Sequence, residues 1–184
     1  AHLDERDGRW LLRLELRAMA AALQSSGEVA RRAVSDAVLF RAQRNRLYPG
    51  SDSLENLLEV QECLAEYTGT RAALDATGIP LSRVAEATAE FEQRPTYVRA
   101  LGYGTGPLLG LLLDRYAPTW RTRIRTSGFS RQLGPAFGLV APRDPAAAVA
   151  ASARLYGGDS LAREEDARAA TRARALADFQ AKIG

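Results

Sequence analysis

Cysteine, histidine, lysine and methionine occur once each in this 184-residue sequence, as Cys63, His2, Lys182 and Met19. One cysteine excludes an internal disulfide and a cysteine-based zinc knuckle. One histidine excludes a His₂-carboxylate metal site built within the chain, and it leaves no Ser-His-Asp or Cys-His arrangement. His2 lies at the terminus beside Asp4 and Glu5, where a lone histidine reads as exposed and idle. Long apolar runs are missing too. The longest candidate, LGYGTGPLLGLLLD, is too short to span a membrane and ends in Asp114. No signal peptide is visible. Val, Ile and Thr never cluster at period two, so no strand is expected. The chain opens on charged sequence without a methionine, which reads as the interior of something longer.

What is present is ordinary for a globular protein: 46% apolar and 26% charged residues. A chain of this size buries roughly 70% of its unfolded surface. Net charge is +3, with a pI near 9.3, too weak a bias to imply nucleic acid. Nearly all the positive charge is arginine, which together with abundant alanine reads as coding bias rather than phosphate binding.

Helical periodicity dominates, and the expected fold class is all-α, an irregular multi-helix domain. Apolar spacing predicts helices over 9–24 and 28–48, the second stopped by Pro49-Gly50. Asp52 followed by Glu55 is a capping-box spacing, so a third helix is predicted over 53–75, with Gly78 and Pro80 as stops. A fourth covers 81–93, and Pro95 is placed in the first turn of a fifth. Pro118 opens a short basic helix. Residues 127–143, rich in glycine and proline, read as a loop or hinge with one helical turn. Two helices follow over 144–184, opened at Asp144-Pro145 and Asp159. The chain thus divides into a helical core over 1–126, a hinge, and a C-terminal helical pair.

The third helix raises a question of chemistry. At 100° per residue, Leu54, Leu57, Leu58, Gln61, Leu64, Ala65 and Thr68 point one way, and Val60, Cys63 and Tyr67 the other. Glu55, Glu59, Glu62 and Glu66 fill the wedge between them. The wedge faces either solvent or a polar cleft. In the second case Glu62, nearest the apolar edge, is the carboxylate expected to be most buried, and it then needs a cation or a metal.

Two further patterns have structural readings. Gly102, Gly106 and Gly110 recur every four residues and let another helix approach closely; with Gly104 they do not make a dinucleotide fingerprint, since no strand precedes them and Pro107 interrupts. Arg115, Arg121, Arg123 and Arg125 with Tyr116 and Trp120 have a composition that single strands favour. At this net charge they read as a solvated face, and no nucleic acid partner is expected. Cys63 reads as a small buried residue.

The segment QECLAEYTG (61–69) resembles the N-E-G-x-A-x-Y segment of gluzincin metallopeptidases, and more of the chain is similar to a group of bacterial metallopeptidases of that kind. AHLDERDGRWLLRLELRAMAAAL resembles the segment after their zinc-binding helix, ENLLEVQECLAEYTGTR their glutamate helix, and YVRALGYGTGPLLGLLLDRYAPTWR a later Y-x-x-G-P-x-x-G-L-L-L-D stretch. Gln61 and Cys63 stand where the motif has asparagine and glycine. The resemblance implies zinc as cofactor, a peptide or protein substrate, Glu62 as third metal ligand, and Tyr97 or Tyr103 as stabiliser of the oxyanion. It also implies an H-E-x-x-H helix, which these residues do not contain. That helix is expected N-terminal to Ala1, the alternatives being an inactive relative or a non-catalytic helical binding module. A periplasmic or secreted setting is favoured over a cytoplasmic one.

Overall fold

A computed structural model of the chain describes residues 2–140 and 143–183. It is all-α, as expected, with no strand among the described residues. The helices are α1 (Arg6–Leu23), α2 (Gly27–Leu47), α3 (Ser51–Leu58), α4 (Leu64–Thr77), α5 (Ser82–Phe91), α6 (Leu101–Tyr116), α7 (Phe129–Ala136), α8 (Ala146–Ala153) and α9 (Gly158–Ile183). A π-helical turn, Glu59–Cys63, joins α3 to α4 in one continuous helix. None of the described helices is long and apolar enough to cross a membrane.

α1 is the centre of the molecule. Its leucines at 11, 12, 14 and 16 point to different sides, yet all are fully buried, because α2, α5, α6 and α9 surround it. Each such leucine contributes about 1.5–3 kcal/mol on leaving water. Arg9, Arg13 and Glu15 of α1 are buried as well and therefore need partners. Arg9, Arg13 and Arg17 recur every four residues on the side facing α9 and the end of α5. There Arg9 and Arg13 donate to Glu165 at 2.8 and 3.0 Å, and Arg17 donates to Glu92 at 2.8 Å. Glu15 faces α2 instead, accepting from Arg41 at 2.7 Å and Arg44 at 2.6 Å. α8 packs on α2, and Val149, Ala153 and Leu161 join the same core as α1.

Several elements differ from the sequence expectation. Pro95 does not begin a helix; residues 94–100 are turns, with Arg99 at φ 62°. Tertiary partners take the polar groups that a helix would have used. Asp4 accepts from Thr96 Oγ1 (2.8 Å) and from the Tyr97 N–H (3.2 Å), and the carbonyls of Arg94 and Pro95 accept from Arg9 and Arg168. The Asp52–Glu55 capping box does not form. Gly50, in the left-handed region at φ 88°, precedes α3, while Asp52 pairs with Arg131 and Glu55 with Arg44. The basic segment after Pro118 makes only a 3-10 turn, Trp120–Arg123. Within 127–143, α7 makes two turns because Phe129 and Leu133, four apart, are both buried against the core. Residues 141 and 142 of that stretch lie outside the described residues.

Candidate functional site

The glutamate helix turns its acidic row inward. Ser51, Glu55, Glu59, Cys63 and Tyr67 are all buried, a strict four-residue period. A straight α-helix would drift ~160° over that length. The wider π-helical turn at 59–63 takes up much of this drift and keeps the row facing the core. Of the leucines on the helix's apolar flank, Leu54 is 62% and Leu57 55% exposed, while Leu58 and Leu64 are partly buried against the core.

This reverses the expected order of burial along the stripe. Glu59 and Glu55 are 0% and 1% exposed, whereas Glu62 and Glu66 are partly buried. The physical reason is countercharge. Arg44 clamps Glu55 through Nε and Nη2 at 2.8 and 2.7 Å, and Arg41 pairs with Glu59. The first turn of α7 adds donors: the Ser130 N–H and hydroxyl reach Glu59 Oε2 at 3.0 and 2.7 Å. His2 is not idle either. Its Nε2 lies 2.7 Å from Glu55 Oε1, and its ring leans on Tyr48. Burial works to raise the Glu55 carboxyl, but the charge and hydrogen bonds of Arg44 outweigh it and hold Glu55 well below the usual carboxylate range.

Glu62 differs from its neighbours. Its Oε2 is buried with no hydrogen-bond partner among the described residues. The fully buried carboxylates Glu15, Asp36, Glu55, Glu59, Glu92 and Glu165 are all matched to arginine, serine or tyrosine donors. Glu62 belongs to the π-helical turn, and its Cβ lies where Gly102 of α6 has none: a Cβ on Gly102 would meet it at 2.5 Å. π-turns occur frequently at functional positions.

The two candidate tyrosines have different settings. Tyr97 is fully buried, stacked on Phe91, under the Arg9 guanidinium, with its hydroxyl donating to the Glu92 carbonyl at 2.7 Å. Burial pushes its phenol up to about 12. Tyr103 is 52% exposed, one residue beyond Gly102, and lines a cavity of about 260 Å³ between α4, α5 and α6. Glu66, one turn after Glu62, lines the same cavity. Spacing alone did not reveal this cavity, because part of its wall comes from α5, from Arg83 to Phe91. Trp120 is fully buried, so the basic patch beside it has no exposed indole on which a base could stack.

One free carboxylate does not make a metal centre. Among the described residues no group of three His, Cys, Asp or Glu side chains is placed to hold a metal ion, and a catalytic zinc takes three protein ligands. The chain by itself therefore does not fit a zinc site. Comparison with family models, curated proteins and solved structures finds no match for this chain.

Proposed function

We propose that this chain is the helical part of a zinc-dependent metallopeptidase acting on peptides or proteins. In this reading Glu62 is the third zinc ligand, and α4 with α6 forms one wall of the substrate cleft. The two histidine ligands and the general base come from an H-E-x-x-H segment outside this sequence. The observation that carries the reading is the unpartnered buried oxygen of Glu62, in a chain whose fully buried carboxylates are matched to donors. A desolvated carboxylate oxygen without a donor is stabilised by a cation. Zinc held there by Glu62 and the two histidines would supply Lewis acidity and a water of lowered pKa. Tyr103, exposed beside the Glu62–Gly102 contact, is the tyrosine able to reach a substrate oxyanion; Tyr97 holds the turn after α5.

Zinc titration tests this on two proteins: the chain alone, and the chain joined to an H-E-x-x-H helix. The expected result is weak binding by the first and tight binding by the second. Glu62→Gln abolishes the tight site and Glu66→Gln leaves it intact. Equally weak binding by both proteins removes the metallopeptidase reading. A second reading, a helical interaction module, rests on α9, where Leu176, Phe179 and Ile183 form an exposed apolar stripe. In this reading the stripe docks on a partner's apolar surface, and self-association in sedimentation that Phe179→Glu abolishes would support it.

A further inference from the structure

The cavity between α4, α5 and α6 has the chemistry of a binding site. Its walls are Leu74, Ile79, Val84 and Pro107, and Phe91 is among its lining. At about 260 Å³ it takes one large side chain or a small molecule rather than a helix. Its polar edge holds the Glu66 carboxylate beside the hydroxyls of Thr70 and Tyr103. The Glu66 carboxylate has no hydrogen bond or ion pair among the described residues, although it is partly buried. Pro107 stands inside α6 and has no N–H, so the Tyr103 carbonyl four residues back lacks its α-helical donor. The one cation in the lining, Arg83, is already bound to Glu86.

We propose that this cavity binds an apolar side chain whose ligand carries a primary ammonium, held by Glu66. A peptide with a free N-terminus and an apolar first residue has this chemistry, and so does a simple aryl- or alkylamine. The peptide form deepens the metallopeptidase reading and rests on it. Glu66 lies one helical turn from Glu62, a Cβ separation of about 6 Å, and a chain advances ~3.5 Å per residue. A peptide anchored by its ammonium at Glu66 therefore brings its first carbonyl toward Glu62. The substrate class is then peptides with a free apolar N-terminal residue, taken from that end rather than cut internally.

An NMR titration of the chain tests the cavity without any metal. The probes are phenylalaninamide, phenethylamine, the amide of Phe-Ala, N-acetylphenylalaninamide and glycinamide. The first three are expected to shift the amides of α4, α5 and α6. The acetylated and side-chain-free probes should bind at least about fivefold more weakly, the loss of one partly exposed charge pair or of the apolar contact. Glu66→Gln should weaken phenylalaninamide by about the same factor and leave the acetylated probe unchanged. Ala73→Trp, which fills the mouth from an exposed wall position, should block every probe; a circular dichroism spectrum establishes that each variant is folded. Equal binding of the acetylated and free amines, or no binding at all, overturns the proposal. Binding of phenethylamine without the Phe-Ala amide overturns the peptide assignment. Glu62→Gln separates the two readings, because it removes zinc and leaves amine binding untouched. Amine binding that persists where zinc binding fails leaves the cavity standing alone.

Discussion

Cys63 lies at the meeting point of two helices, with its sulfur 3.4 Å from Thr105 Oγ1 and no exposed surface. Burial, reinforced by the charge of Glu59, pushes its thiol up to about 12. The thiolate is the nucleophile, so at neutral pH the native side chain is both uncharged and sealed. Labelling with a thiol reagent should proceed only through opening of the fold, with a rate that rises steeply in denaturant. Rapid stoichiometric labelling of the native protein would contradict the packing described here. The glutamates one and four residues before it make a second comparison. Glu59→Gln removes one end of a buried charge network that includes Arg41 and should cost about 2–3 kcal/mol in a denaturant melt. Glu62→Gln removes a charge that has no partner among the described residues and should cost nothing or stabilise slightly. Matching losses for the two variants would mean that Glu62 has an unseen donor. That a row of glutamates mattered was legible in the sequence. Which of them faced inward was not, since a helical wheel puts leucine inside and carries no record of Arg41 and Arg44 on another helix.

At the scale of elements, the close approach of another helix to the glycines of α6 is the feature most plainly written in the sequence, and the helix that fills the place is the glutamate helix running into α4. A Cβ on Gly106 would meet the Cys63 backbone at 2.8 Å, and one on Gly110 would meet the Tyr67 ring at 2.0 Å. Four-residue spacing of glycine on α6 thus matches four-residue spacing of buried residues on the glutamate helix. Gly106→Leu must separate the helices or force strained rotamers, and a loss of at least about 1–3 kcal/mol is expected. Gly69 supplies the control. It lies within α4 with nothing within 4 Å of a Cβ, so Gly69→Ala should stabilise by roughly 0.5–1 kcal/mol through helix propensity alone. Thermal melts of the pair should move in opposite directions; an unchanged midpoint for Gly106→Leu means that α6 faces open space. Other element boundaries were less legible. The 94–100 turn depends on Asp4, ninety or more residues earlier in the chain, and α7 depends on Phe129, whose ring packs on Tyr67 and Trp120 across the fold. Glycine and proline content read as a loop at 127–143 and Pro95 read as a helix start, but tertiary hydrogen bonds and burial decided which stretch became helix.

The molecule as a whole is held by arginine–carboxylate networks threaded through an apolar core, one on each side of α1. Their stability depends on pH in a direction that follows from Glu55. Its carboxyl is held well below its ordinary 4.5 in the folded protein by Arg44, with His2 and Arg41 adding to the effect. A group whose folded pKa is depressed stabilises fully above its unfolded pKa and loses that contribution as pH falls toward the folded one. The protein should therefore hold its stability down to about pH 4.5 and lose it progressively in more acid solution. Glu55→Gln isolates the part due to this residue. At pH 7 the variant leaves Arg44, itself fully buried, with Glu15 as its remaining charged partner, and it should be less stable by about 3–5 kcal/mol. In the variant that contribution no longer titrates. The gap between the two proteins should thus shrink as pH falls below 4.5, because the wild type loses what the variant never had. Chemical melts at pH 7, 5, 4 and 3 measure the gap directly. A gap that stays constant over that range would mean that Glu55 is already protonated in the fold, and that the Arg44 clamp is a neutral hydrogen bond rather than an ion pair.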